Sequence, residues 1–570
     1  MRKFCVVTFF LALGSSPSLA ERGFKQGAIA AAHPAASAAG ALMLQQGGNA
    51  VDAVVAGAFT MAVVGPYHSG LGGGGFAVSW SAKEKQAVVL DFREVAPAAA
   101  TREMFLRDGA AVGERSTDGA LSVAVPGAVL GYLQLHERYG KLPRAVVLAP
   151  AIAAAKNGFP VGRKYQVAAE EREACLQQDP EAARIFLRPD PSGTPRVPAL
   201  GTILKQPELA RTLEALAKRG AKSFYQGPTA KALADSVVRG GGRLTLADLK
   251  AYRTRDRAPL WGSYRGHKIA AMPPPSAGGI AVLQVLGVLE RTSPLGLASR
   301  EVSVLHHYLE AARRSYVDRA KYLGDPAFNQ IPLQKLISPA YFDELKASID
   351  PKKATASAAL LKLEAKPSAR PEQKNTTHLS VVDGEGNAVA LTTTINYLFG
   401  SCLVGKGTGV LLNDEMDDFA SQPGTPNKYG LVTGEPNAVA PGKVPLSSMS
   451  PTLVFQKEQP DQVLLVVGSP GGSTIPTTVI QVISNVIDAQ MDVTRAVGFG
   501  RIHHQWLPDA VRVDAWGLEP ETQKKLEAMG HLVEREIGWG DAEAVRVDPL
   551  TGLRSAASDP RGEGAPAGTD

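Results

Sequence analysis

Two threonines, Thr376 and Thr377, stand where the chain changes character. Residues 350–375, DPKKATASAALLKLEAKPSARPEQKN, are rich in Lys, Ala, Ser and Pro with little periodicity, and read as a mobile linker. Directly after it the period becomes two. His378, Ser380 and Val382 alternate with Thr377, Leu379 and Val381, DGEGN turns the chain, and AVALTTTI returns it, the pattern of a β-hairpin. A threonine hydroxyl is a weak nucleophile that needs a base beside it. Thr376 would carry its own if the preceding peptide bond were cut, because a free α-amino group titrates at about 7.7–8.0, and the β-branch limits where the hydroxyl can point. In the uncut chain the same hydroxyl is placed to attack the carbonyl of Asn375, giving an ester and, after hydrolysis, two chains. Taken alone, the stretch also reads as two ordinary strand formers beside a loop.

Other chemistry-bearing patterns are weaker. GLGGGG (70–75) matches the spacing of a dinucleotide loop but leads into a strand, where that fingerprint joins a strand to a helix. GSPGGS (468–473) is neither a nucleophile elbow nor a phosphate loop. His503 and His504 are adjacent, so their side chains diverge, and no metal-ligand spacing accompanies them; they read as structural. Of three cysteines, Cys5 lies in the N-terminal segment. Cys175 and Cys402 form no C-x-x-C pair and are expected as separate thiols, with a bridge between them left open in an oxidising compartment.

The elements that must position these residues follow from pattern. The 570 residues are 44% hydrophobic and 20% charged, an ordinary globular profile. The formal charge of +6 is dispersed, without a basic run or basic-aromatic stripe, which argues against a nucleic-acid partner. Arg2 and Lys3, the apolar FCVVTFFLAL (4–13) and the small residues of SLA (18–20) make a cleavable targeting segment over 1–20. Its apolar run is about half the roughly 20 residues that span a bilayer, so the mature chain is expected to begin near Glu21 and to be exported, to the periplasm or the medium, with no membrane span. HPAASAAGALMLQQ and AVDAVVAGAFTMAVV predict two helices, the second capped by Asn49. Strands are predicted at the end of GLGGGGFAVSW, at 87–92 and at 463–468. Residues 120–260 read as mostly helical, with further helices over 301–323 and after SPGGST. Strands and helices are segregated, which predicts stacked antiparallel sheets covered by helices.

The stretch TTHLSVVDGEGNAVALTTTIN strongly resembles the start of the small subunit of γ-glutamyltransferases, members of the N-terminal-nucleophile hydrolases. The resemblance runs through GGNAVDA, SGLGGGGF, DFREVAP, MPPPSAGG and YLGDPAF upstream. Downstream it includes LLNDEMDDF, PGTPNKYGLVTGEPNAV, PLSSMSPT, GSPGGS, RIHHQWLPD and ASDPR. It implies an α+β, four-layer αββα sandwich and a precursor that splits into a large subunit (21–375) and a small one (376–570), which stay together as a heterodimer. It implies Thr376 as nucleophile, Thr394 as the partner of its hydroxyl, and the backbone N–H groups of Gly471 and Gly472 as oxyanion donors. Arg93, Ser447 and Ser448 would hold the donor's α-carboxylate; Asn396, Glu415 and Asp418 would hold its α-ammonium; and Tyr429 lies in a loop resembling the family's lid. Glutathione or another γ-glutamyl compound would be the donor and water, an amino acid or a dipeptide the acceptor, with neither metal nor cofactor. A cephalosporin (glutaryl) acylase or a poly-γ-glutamate depolymerase on the same scaffold is the rival reading. A non-catalytic, unprocessed homologue would be expected to lose Thr376 or the glycine pair.

Overall fold

A computed structural model describes residues 22–361 and 375–570. The predicted targeting segment and residues 362–374, half of the predicted linker, lie outside the described residues. The other half departs from the expectation of a mobile linker: Ser357–Leu360 is a short helix, and Ser357 is buried, its N–H donating to Asp509 at 2.7 Å and its hydroxyl to the Trp506 carbonyl at 2.6 Å. Two antiparallel sheets lie face to face. The first has seven strands in the order Arg255–Arg257, Gln86–Asp91, Gly74–Ser81, Ala388–Thr394, Thr377–Asp383, Gly27–Ala31, Ala567–Thr569. The second has six, in the order Leu260–Tyr264, His267–Ala271, Thr452–Phe455, Val463–Gly468, Glu543–Val547, Arg554–Ser558.

Period-two alternation explains how the sheets stack. Along Thr377–Asp383, Leu379 and Val381 face a core shared with the helices Pro34–Gln45, Ala50–Val64 and Ala128–Tyr139. Val382 points the other way, into a core between the sheets that also holds Phe76, Trp80, Phe455 and Val466. On the far side of the second sheet, Ile269, Val454, Leu465 and Val467 pack against the helices Gly278–Glu290, Val302–Tyr322 and Ile475–Ile487. Helix, sheet, sheet, helix is the αββα order expected from the sequence. Both faces of the central strands are covered, so a large-to-small change such as Leu379→Ala costs about 2–5 kcal/mol.

The predicted elements fall where the pattern put them, with small shifts at their ends. The helix expected over 301–323 is Val302–Tyr322, and the strand 463–468 is Val463–Gly468. The Asn49 cap is formed: its side chain accepts from the N–H groups of Val51 and Asp52, and Asp52 returns the bond to Asn49 N–H at 2.9 Å. His503 and His504 serve the packing, as expected. Nδ1 of His503 bonds the Thr477 hydroxyl at 2.8 Å, and burial pushes the ring of His504 down to about 4.

One expectation is overturned. Cys175 and Cys402, expected as separate thiols, are joined in a disulfide. Sequence separation of 227 residues hid a Cα–Cα distance of 5.9 Å, which falls inside the range a bridge requires. The predicted boundary at 375/376 also separates no folding units, because Gly27–Ala31 pairs directly with Thr377–Asp383.

Candidate active site

Thr376 sits at the edge of the first sheet, 4% exposed, one residue before its strand begins. Its hydroxyl donates to the Thr394 hydroxyl at 3.1 Å, and the same Thr394 oxygen accepts from the N–H of Asn396 at 2.9 Å. Thr394 ends the neighbouring strand, so the hairpin itself brings the two hydroxyls together. The backbone of Thr376 has φ +83°, in the left-handed region that β-branched residues rarely enter. The glycines of the 70–75 stretch make a different contribution from a cofactor loop. A Cβ on Gly73 would lie 1.9 Å from the Thr394 carbonyl, so only glycine lets that segment approach the site.

The carbonyl before Thr376 is also held. The N–H of Gly471 donates to the oxygen of Asn375 at 3.0 Å. Gly471 and Gly472 leave the Val463–Gly468 strand at φ +128° and +53°, and a Cβ on Gly472 would strike the Tyr429 ring at 2.4 Å. The bond between Asn375 and Thr376 therefore has a hydroxyl on one side and a backbone donor on its carbonyl oxygen.

Beside this lies a charged cluster. Arg93 follows the Gln86–Asp91 strand, is 1% exposed, and forms ion pairs with Glu415 and Asp418. Glu94 approaches the same guanidinium at 3.8 Å. Burial works against the charge on Arg93, but the three carboxylates outweigh it and hold the guanidinium well above its ordinary value. Burial pushes Glu94 up to about 7, against the attraction of Arg93, and it raises Glu415 well above the carboxylate range. Among the described residues, Nε of Arg93 and Oγ of Ser448 have no hydrogen-bond partner, while the carboxyls of Glu94 and Glu415 lie against each other and against Arg93. Ser447 and Ser448 are set by the 272–279 stretch: Ser447 N–H donates to the Pro275 carbonyl at 2.9 Å, and Ala277 N–H to the Ser447 carbonyl at 2.8 Å.

The site residues that the resemblance implied come together at this place. Arg93, Thr376, Thr394, Asn396, Glu415, Asp418, Tyr429, Ser447, Ser448 and Gly472 line one cavity of about 20 Å³, with Gly471 and Asn375 adjoining through their mutual bond. That volume is room for about one water. Tyr429 closes it, its hydroxyl donating to the Asn396 carbonyl at 3.0 Å and accepting from the Asn375 amide at 3.2 Å. One arrangement differs from expectation. Arg93 and the carboxylates Glu415 and Asp418, assigned to opposite ends of a ligand, pair with each other, because buried charges without a ligand neutralise one another.

Sequence reasoning missed three contributors. Glu94 adjoins Arg93, and strand alternation would have sent the two apart, but the strand has already ended at Asp91. Asn427 latches the Tyr429 loop, donating to Asp418 at 3.2 Å while its oxygen accepts from the N–H groups of Tyr429 and Leu431. Leu431 adds apolar lining. A polar residue two positions before the lid tyrosine was the available signal for Asn427.

Residues 36–569 match the family model described as gamma-glutamyltranspeptidase. The chain is 41% identical over 542 residues, 94% of its length and 90% of the relative's, to the glutathione hydrolase proenzyme of Escherichia coli (strain K12). It is 42% identical over 516 residues to a protein of the same description from Pseudomonas sp. (strain A14), covering 90% of this chain and 87% of that one. Among solved structures, a cephalosporin acylase from Bacillus halodurans superposes with a TM-score of 0.81 at 26% identity, covering 99% of this chain and 100% of the other. The chain belongs to the gamma-glutamyltranspeptidase family and is an enzyme of the N-terminal-nucleophile hydrolase fold.

Proposed function

We propose that this is an exported, self-cleaving glutathione hydrolase and γ-glutamyltransferase. The observation that carries the reading is the Gly471 N–H on the Asn375 carbonyl, beside the Thr376 hydroxyl. In the precursor, Thr376 Oγ1 adds to the Asn375 carbonyl carbon while Gly471 N–H bears the developing negative charge. The proton of the Thr376 hydroxyl passes to the Thr376 nitrogen, the C–N bond breaks with that nitrogen leaving as an amine, and an ester links Asn375 to the threonine oxygen. Water then hydrolyses that ester, leaving a carboxylate on Asn375 and Thr376 as a new N-terminus.

The same groups then serve the donor. The free amine of Thr376 takes the proton from its hydroxyl as the oxygen attacks the γ-carbonyl. Gly471 and Gly472 N–H groups stabilise the oxyanion, and Thr394 fixes the hydroxyl. Arg93, with Ser447 and Ser448, binds the α-carboxylate; Glu415, Asp418 and Asn396 bind the α-ammonium. The leaving amine departs with the proton, and water or an amino acid or dipeptide amine removes the γ-glutamyl group from the ester. A cavity of about 20 Å³ cannot admit a γ-glutamyl group, so departure of Asn375 and movement of the Tyr429 loop must open it.

The acylase reading draws on the structural likeness to the Bacillus halodurans enzyme. A glutaryl donor has no α-ammonium, and the three carboxylates around Arg93 favour a ligand that brings a cation. N-terminal sequencing of the small chain, together with turnover of γ-glutamyl-p-nitroanilide with and without glycylglycine, tests the proposal. A single intact chain, or a small chain that begins anywhere other than Thr376, refutes the processing step; absence of turnover by a cleaved protein refutes the substrate.

A further inference from the structure

The Cys175–Cys402 disulfide straddles the proposed cleavage site. Cys175 lies on the Arg163–Gln178 helix, and Cys402 lies in the bend that follows the Ala388–Thr394 strand. We infer that this bridge is an inter-subunit cross-link, so that after cleavage between Asn375 and Thr376 the two chains remain one covalent molecule. The inference rests on the proposed processing, but the bridge and the cleavage can be measured separately.

The surroundings of the bridge are built for it. Arg172, one turn before Cys175 on the same helix, reaches both sulfurs with its Nη2, at 3.1 Å to Cys175 and 3.2 Å to Cys402. The same nitrogen donates to the Gly400 carbonyl at 3.1 Å and to Asp118 at 2.8 Å. The helix end and the bend are also tied by Asp179, whose carboxylate accepts from the Val404 N–H at 2.9 Å. The bend itself needs restraint. Asn396, Phe399 and Cys402 all have positive φ, at +71°, +56° and +58°, a backbone that side chains other than glycine resist. Asn396 lines the active-site cavity six residues before Cys402, so the cross-link anchors the segment that carries it.

Formation of the bridge is an oxidation. The two thiols lose two protons and two electrons to a disulfide oxidant of the export compartment, protein-borne or small-molecule, which is reduced to two thiols. Both cysteines are buried, at 7% and 2% exposed, in the wall of a cavity of about 520 Å³. The cross-link changes the molecularity of unfolding. A cleaved protein without it unfolds into two separate chains, so its stability depends on concentration, whereas a cross-linked one unfolds as a single molecule.

The test uses protein purified from an oxidising compartment, with free thiols alkylated before denaturation, and electrophoresis with and without reductant. One band without reductant and two with it is the expected result. Two bands under both conditions overturn the cross-link while leaving the cleavage standing. One band under both conditions overturns the cleavage and with it the inter-subunit role, and peptide mapping of the Cys175–Cys402 linkage then reports the bridge alone. In cleaved protein, Cys175→Ser should give two bands without reductant. Its denaturation midpoint should rise with a tenfold increase in protein concentration, while that of the unmutated protein stays in place. A concentration-dependent midpoint in the unmutated, unreduced protein would overturn the inference.

Discussion

The two ends of the candidate site are built on opposite terms. At the Thr376 end the groups are neutral and already paired: hydroxyl to hydroxyl, backbone N–H to carbonyl, each set by a strand end or a glycine turn. At the Arg93 end the groups are ionisable and buried, with three carboxyl groups crowded around one guanidinium. The first arrangement is suited to a reaction whose geometry must exist beforehand. The second stores unfavourable electrostatics that a ligand bearing both an ammonium and a carboxylate relieves, which converts binding into discrimination.

The contrast is tested most severely at the neutral end. Thr376→Ala should remain a single chain and lose activity on the order of 10⁴–10⁶-fold, as loss of a nucleophile does in comparable enzymes; electrophoresis and γ-glutamyl-p-nitroanilide turnover check it. Thr376→Ser keeps a hydroxyl and should still cleave. At the charged end, glutaryl-p-nitroanilide should be a poorer substrate than γ-glutamyl-p-nitroanilide by roughly 10²–10⁴ in kcat/KM, since unmatched buried polar groups penalise the wrong ligand. Equal values would transfer the protein to the acylases. Arg93→Lys keeps the charge and loses the fork. With hydrogen bonds to charged groups contributing about 1.5–3 kcal/mol, donor KM should rise by roughly one to two decades, and an unchanged KM in a cleaved variant would remove Arg93 from the site.

The smallest effect concerns protons. Glu94, raised to about 7 by burial, is protonated below that pH in the free enzyme. A bound ammonium favours its ionised form, so binding must displace the proton at low pH. Affinity for a non-reacting γ-glutamyl analogue should therefore weaken as pH falls below about 7, by up to roughly tenfold per unit. Glu94→Gln should flatten that profile. A profile for the unmutated enzyme that is already flat from pH 5 to 8 would leave Glu94 without this part.

Much of this was legible in the sequence because its signals are local. The switch to period two after Asn375 marked the hairpin, and the segregation of strands from helices pointed to stacked sheets covered by helices. Gly471 and Gly472 stood out only through the family resemblance, since the turn they make reads alone as an ordinary strand-to-helix connection. What was hidden depends on partners distant in sequence. Nothing across the sequence separation of 227 between Cys175 and Cys402 announces their meeting. Glu94 enters the site only because its strand ends three residues earlier, at Asp91, and element ends are the least legible boundaries of a sequence. The pairing of Arg93 with Glu415 and Asp418 is a property of the site without ligand, which residue roles alone do not describe.

The backbone of Thr376 carries a further consequence. A threonine held at φ +83° costs about 1–3 kcal/mol. That angle is defined by the carbon of Asn375, and when the proposed cleavage removes the bond to that carbon the torsion itself ceases to exist. Rejoining the chains would have to recreate it. The conformation thus acts as a ratchet on maturation: it raises the energy of the intact precursor, vanishes with the product, and biases against religation by roughly 5- to 160-fold even though strand pairing keeps the new ends together.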